Sequence, residues 1–247
     1  LPIFPGVLWA KVALQTEDGQ TLSVDGLPNR QASHLSTAVQ NVLFARTTRG
    51  RKALFEEILE QIQSWLSAAD AMTDRGHASR RWITHEQQQA LLAERPALPL
   101  SPDELERLFL DANVHDDLRS SRHLAAMEAL NDWHRDWPAA WAEANEAMTQ
   151  RELVLAKDLL DHVESRPLTE EQARAVICFD NRVQVVASAG SGKTSTLVAK
   201  AAYAIDRGFV EPERVLMLAF NKDAAEELEA RAQRAFQRLG MTDAVVE

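Results

Sequence analysis

The chain has 247 residues, 45% hydrophobic and 26% charged, with a formal net charge of −10. This excludes a disordered polypeptide and a uniformly basic nucleic-acid-coating protein, while local basic grooves on an acidic surface stay compatible with DNA. The single cysteine, Cys178, excludes an internal disulfide framework and a multi-cysteine metal site. No apolar run reaches the roughly 18 residues of a membrane span and no cleavable leader is visible, so no membrane association and a cytoplasmic location are expected. A chain that opens on Leu1 and closes on "MTDAVVE" reads as a piece of a longer protein.

In chain order, "VLWAKVAL" (7–14) and "TLSVDGL" (21–27) read as strands, with Asp18-Gly19 as the hairpin turn and further strands expected before them. From Ser33 to about Asp70 the period becomes helical. Leu35, Val39, Val42 and Leu43 share one face, and Leu54, Ile58, Ile62, Trp65 and Ala69 continue it past a break or kink at Gly50. "TDRGHASRRW" (73–82) reads as a loop and 84–94 as a short helix capped by Thr84. "RPALPLSP" (95–102) is a stiff connector, and Ser101-Pro102 opens a helix over 101–110. A long helix over about 121–165 lines Leu130, Trp133, Trp137, Trp141, Ala144, Met148, Leu155 and Leu159 on one side, with Pro138 marking a break or a new start. Thr169 and Gln172 have capping-box spacing. Then come a strand (182–188), a helix stopped by Gly208 (192–208), a buried strand (214–220) and a helix stopped by Gly240 (222–240). That order is the start of a parallel α/β sheet.

The stretch "VQVVASAGSGKTSTLV" (183–198) carries the chemistry. An apolar strand running into a glycine-bearing turn and then a helix gathers backbone amides and a positive helix end around phosphate oxygens. Ala189, Gly190, Ser191 and Gly192 form the turn. Lys193 reaches toward the β- and γ-phosphates, Thr194 offers its hydroxyl to Mg²⁺, and Ser195 follows in the first helical turn. Ala187 stands where the general pattern has its first glycine. The bland alternative is a strand–helix turn with no ligand.

Three blocks in this order resemble the UvrD/Rep-like superfamily 1 DNA helicases: "PLTEEQARAV" (167–176) their Q motif, "ASAGSGKTSTLVAKAAY" (187–203) their Walker A motif, and "VLMLAFNKDAAEELEAR" (215–231) their motif Ia. "RRWITHEQQQALL" (80–92) and the helix leading into "VESRPLTEEQARAV" are similar to the N-terminal extension of the helicase IV branch. The resemblance implies that Gln172 reads the adenine edge, which a carboxamide can do by donating and accepting at once. Its plain reading is a helix-cap partner for Thr169, and both can hold. It also implies that Phe220 meets single-stranded DNA with Asn221 and Lys222 beside it, where the family has Thr-Asn; without the resemblance Phe220 reads as core. The family's later Asp-Glu pair, its arginines and its second motor domain find no counterpart in the chain. The chain alone is therefore expected to bind ATP but neither to hydrolyse it efficiently nor to unwind DNA.

Other features have plainer readings. "RTTRGRK" (46–52) is a solvated helix end before it is a phosphate contact. Trp133, Trp137 and Trp141 form a core or interdomain seam before a base-stacking stripe. The histidines show no ligand spacing, and Cys178 reads as buried and inert. The resulting expectation is a mixed α and β chain: a β-rich accessory region (1–32), a helical arm (33–165), and the first portion of a P-loop (RecA-like) motor domain (166–247). The function expected is the N-terminal part of a 3′-to-5′ ATP-dependent DNA helicase, with ATP, Mg²⁺ and single-stranded DNA as ligands. The rival readings are a regulatory P-loop ATPase without a DNA track and a non-catalytic DNA- or protein-binding module.

Overall fold

The computed structural model describes residues 3–5, 8–15, 20–115, 118–188 and 190–241. The expected Asp18-Gly19 turn lies outside them. The chain is mixed and mostly helical, with one small antiparallel sheet among the described residues. It divides into two compact units, Leu1–Ser67 with Pro96–His134, and Ala68–Arg95 with Arg135–Glu247.

In the first unit, β1 (Ile3–Pro5), β2 (Trp9–Gln15) and β3 (Thr21–Pro28) pair in sequence order, with Val12 opposite both Ile3 and Val24. Helix α1 (Asn29–Arg46) packs on this sheet through Ala32, which is buried with Ala10 and Val12. The expected apolar face of α1 is not its buried face: Leu35, Val42 and Leu43 are exposed, because the side turned to the sheet carries the small residues Ala32 and Ser36.

Helix α2 (Thr48–Ser79) is separated from α1 by Thr47, not by Gly50. The Thr47 hydroxyl donates to the Phe44 carbonyl at 2.8 Å and accepts from the Gly50 amide at 3.1 Å, so one side chain closes one helix and opens the next. Gly50 lies in the first turn of α2, where a Cβ would overlap the Phe44 carbonyl. Residues 48–67 of α2 bury Ile58, Ile62 and Trp65, as their spacing predicts, together with Phe55, while Leu54 of the expected face is half-buried. Helices α3 (Pro102–Phe109) and α4 (Ser121–Trp133) complete this core. Phe109 meets Phe55 edge-on at 4.9 Å, and Trp133 meets Trp65 at 5.6 Å. Arg51, from the basic run, is ion-paired with Asp111.

In the second unit, α2 continues helically to Ser79, so 73–79 is not the expected loop. Gly76 does not break the helix. It leaves room for Ile83, whose side chain a Cβ there would meet at 3.0 Å. The helix ends at Arg80, which takes a left-handed φ of 55°, while the Arg81 amide bonds back to the Gly76 carbonyl at 2.9 Å. Helix α5 (His85–Ala93) follows, capped by Thr84 as expected, with Gln87 completing a capping box.

The expected long helix is three: α4, then α6 (Trp137–Leu155) and α7 (Lys157–His162). Asp136 accepts from the Ala139 amide at 3.1 Å, and Pro138 sits in the first turn of α6, where a missing N–H costs nothing. Leu155 is exposed, because α6 ends there. Helices α8 (Glu170–Ile177), α9 (Lys193–Asp206) and α10 (Lys222–Arg238) pack with α6 and α7 around Met148, Leu160, Val163, Val176, Ile177, Val198, Ala202, Tyr203 and Phe236. Gly208 and Gly240 take left-handed φ values just after α9 and α10, as expected.

Neither 182–188 nor 214–220 is a strand. A strand needs a neighbour for its N–H and C=O groups, and no described segment pairs with either run. Their apolar side chains reflect this, with Val186, Leu216 and Leu218 all exposed.

Glu152 of α6 is 0% exposed. Its carboxylate accepts from Arg80 Nε at 2.5 Å and from the Tyr203 hydroxyl at 2.8 Å, and it pairs with Arg207 at 3.1 Å. Burial, then the bond to Glu152, push the Tyr203 phenol well above its ordinary range. Removing the carboxylate charge would leave two guanidinium groups without their counter-ion. Glu152→Gln is expected to destabilise the second unit by about 3–5 kcal/mol, the usual cost of breaking a buried ion pair; urea unfolding of both proteins checks this, and a loss below about 1 kcal/mol would contradict it.

Candidate nucleotide site

The candidate site begins where α9 begins. Gly190 and Gly192 have φ of 76° and 87°, and Gly192 forms the N-cap of α9, so the turn uses the backbone freedom that made it legible in sequence. Ala189 lies outside the described residues. The Ser191 hydroxyl donates to the Ser188 carbonyl at 2.7 Å. Lys193 folds back over the loop, its Nζ donating to the carbonyls of Ala187 and Ser188 at 2.8 and 2.7 Å. The ammonium is thus held over the loop and exposed. Thr194 and Ser195 are half-buried in the first turn of α9. The Ser195 hydroxyl accepts from Arg231 of α10 at 3.4 Å.

Gln172 reaches the same loop. Its Oε1 accepts from the Thr169 amide at 2.9 Å and its Nε2 donates to the Ser191 carbonyl at 2.9 Å. The capping partner and the loop partner are therefore the same side chain. Gly192 lies so near the Gln172 amide that a Cβ there would push the carboxamide aside.

A cavity of about 530 Å³ opens beside the loop. Gln172, Ser191, Lys193 and Thr196 line it, and so do Trp82, from the turn that follows α2, and Thr149 of α6. Cys178 also lines it and is half-exposed at the end of α8, not buried as expected.

Lys200, one turn beyond the loop's reach on α9, was not singled out by its sequence, although a lysine between Val198, Ala199, Ala201 and Ala202 is the available signal. Its ammonium donates to the carbonyls of Ala175 (3.0 Å), Val176 (3.3 Å) and Cys178 at the C-terminus of α8, and lies 4.4 Å from the centre of the Phe179 ring. It closes the carbonyl end of α8 against α9. Burial lowers its pKa to about 8.

Phe220, Asn221 and Lys222 share none of the loop's hydrogen bonds described above. Phe220 is fully exposed and not core. Asn221 caps α10, accepting from the Ala224 amide at 2.8 Å, and Lys222 pairs with Glu226 at 3.5 Å on the surface. No helix among the described residues is long and apolar enough to cross a membrane.

Comparison with known proteins bears on this region. Residues 168–247 match the family described as the UvrD/REP helicase N-terminal domain. The chain is 38% identical over 155 residues to DNA helicase IV of Escherichia coli K12, covering 61% of this chain and 21% of that protein. It is 31% identical over 84 residues to the ATP-dependent DNA helicase SRS2 of Saccharomyces cerevisiae, covering 34% of this chain and 7% of that protein. It is 37% identical over 76 residues to the ATP-dependent DNA helicase PcrA of Staphylococcus aureus Mu50, covering 31% of this chain and 10% of that protein. The chain thus spans about a fifth of the length of these relatives or less. No solved structure matches it significantly.

The depressed pKa of Lys200 gives the fold a pH dependence. Between about 8 and 10.5 the unfolded chain holds a proton that the folded chain has released, so stability rises with pH across that window and is lost as pH falls toward 8. Thermal melts of the wild type and Lys200→Met across the window should diverge, the variant lacking this component of the slope; parallel profiles would remove Lys200 as its source.

Proposed function

We infer that residues 168–247, a UvrD-like helicase N-terminal domain, are the nucleotide-gripping portion of an ATP-dependent DNA motor, and that the whole protein is a DNA helicase. The observation that carries this reading is the convergence of Gln172, Ser191 and Lys193 on one cavity at the N-terminus of α9. Such an end presents free N–H groups and a positive dipole to anionic oxygens. The family match supports the identity of the anion as the triphosphate of ATP.

In this reading Lys193 exchanges its two carbonyl partners for phosphate oxygens. An ammonium gains more from an anion than from neutral carbonyls, so phosphate arrival pulls it off the loop. Gly190, Ser191 and Gly192, with Ala189 before them, offer their amides, and Ser195 steadies the first turn through Arg231. The Thr194 hydroxyl is the group suited to Mg²⁺. No group of three or more His, Cys, Asp or Glu side chains gathers among the described residues. One hydroxyl with phosphate oxygens and water fits an ion that keeps several waters. When bound, Mg²⁺ supplies charge neutralisation between phosphate oxygens. Gln172 selects adenine by releasing Ser191 or Thr169 and turning its carboxamide to the ring edge.

Phe220, fully exposed just before α10, offers a ring on which a base of single-stranded DNA stacks, with Lys222 adding charge nearby. The 3′-to-5′ direction follows from the family resemblance. The acidic pair that activates water in such motors has no counterpart in this chain, so the chain alone binds ATP without efficient turnover or unwinding.

Two binding experiments test this reading. Lys193→Ala should weaken Mg·ATP binding by at least about tenfold, the loss of a charge-assisted contact, with no change in melting; calorimetry showing equal affinities would remove the loop from nucleotide binding. Phe220→Ala should weaken binding of single-stranded oligonucleotide by about tenfold. Retained ATP binding with no measurable DNA binding by the wild type would favour a regulatory ATPase instead.

A further inference from the structure

Trp82 stands in the turn between α2 and α5 and carries the sole aromatic ring among the described residues lining the cavity beside the loop. Its place is built from both sides. Two residues before it, Arg80 holds the left-handed backbone that ends α2 and is fastened to the buried Glu152. A non-glycine residue in that region costs about 1–2 kcal/mol, so the surrounding bonds must hold it there. One residue after it, Ile83 is clamped at both backbone groups by the buried Asn145 side chain, which accepts from the Ile83 amide at 2.8 Å and donates to its carbonyl at 2.9 Å. Gln88 donates to the same carbonyl at 2.9 Å. Further on, the His85 amide donates to Asp180 at 2.8 Å, in the segment leading to the loop. The half-buried ring also packs on the core cluster that holds Val176, Val198 and Tyr203. The backbone on either side of Trp82 is thus fixed by bonds from α6, α5 and the 180 region, and its ring rests on the core.

We propose that Trp82 is a nucleobase-stacking residue, so that the helices preceding the loop supply part of the nucleotide site and set its preference for a nucleoside triphosphate over a bare polyphosphate. This rests on the nucleotide reading given above. The triphosphate end is fixed by Ser191, Lys193 and the start of α9. The base must then occupy the remaining cavity, where Gln172 supplies a polar edge and Trp82 a flat apolar face. A ring edge needs a hydrogen-bonding group and a ring face needs a planar one, and these two side chains provide one of each. The carboxamide alone leaves the base face in water.

The test is calorimetric titration of this chain with Mg·ATP and, separately, with magnesium tripolyphosphate, which has the same charged end and no base. For the wild type, ATP should bind more tightly than tripolyphosphate. Trp82→Ala should weaken ATP about tenfold, within the range of one base–aromatic stack, and leave tripolyphosphate unchanged. Trp82→Phe should keep most of the ATP preference, whereas Trp82→Leu, apolar but not planar, should lose it. This pair decides the matter if the alanine variant melts early. Equal ATP affinity in the wild type, the leucine and the phenylalanine variants would overturn the proposal, as would an equal loss for both ligands. Lys193→Ala separates the two readings: it should weaken binding of both ligands by at least about tenfold, whatever stands at position 82. Wild type that binds neither ligand would sink the nucleotide reading and this one with it. ATP binding that depends on Lys193 but not on Trp82 would sink this one alone.

Discussion

The second unit is organised around one buried negative charge. Glu152 lies within α6, and the three groups that satisfy it come from the end of α2 and from the C-terminal half of α9. A carboxylate removed from water is tolerable only when its charge is met and its lone pairs are used, and both conditions are fulfilled here. Because the arginines and the tyrosine must converge on the same two oxygens, the helices that carry them have little freedom to slide. α9 is the helix that starts at the glycine-bearing loop, so its register is fixed at the far end by Glu152 and beside α8 by Lys200. The loop sits at the free end of an element pinned along its length.

That arrangement explains how a loop can keep an open cradle without a sheet behind it. The usual support for such a turn is a strand whose ladder holds the backbone entering the glycines. Here residues 183–188 have no ladder among the described residues, and the turn is held from the helical side. Gln172 grips the Ser191 carbonyl, Lys193 grips the carbonyls of Ala187 and Ser188, and Ser191 closes on Ser188. Each of these bonds uses a group that phosphate or base would also engage. The loop's own side chains occupy its polar positions, and in the proposed reading a ligand would exchange bonds there rather than meet bare donors.

What was legible in the sequence was what depends on near neighbours. Thr84 as a cap and Thr169 with Gln172 as a capping box were readable because a helix cap is closed by residues within three positions of each other. Gly190 and Gly192 were readable as a turn for the same reason. Glycines whose reason is distant were misread. Gly50 suggested a break and the stretch around Gly76 a loop, yet both glycines sit inside α2, where a Cβ would overlap the Phe44 carbonyl at one and crowd Ile83 at the other. The tandem role of Thr47 was hidden because a threonine between two helical patterns has no fixed meaning. Trp82 was invisible as a site residue for a stronger reason: its position is set by Asn145 and Glu152, more than sixty residues away.

The two apolar runs show the limit of periodicity from the other direction. Residues 182–188 and 214–220 have the composition of strands buried on both faces, and composition records what a segment would bury, not what is present to cover it. A strand's hydrogen bonds belong to a pair, whereas a helix closes its own, and this is why the expected helices of the region formed while its expected strands did not. The helical half of the unit satisfies its backbone internally and uses its side chains for packing, for the Glu152 network and for the α8–α9 closure. The chemistry at the loop therefore depends on side-chain bonds from α6, α8 and α9, and a substitution that loosened those helices would reach the loop without touching it.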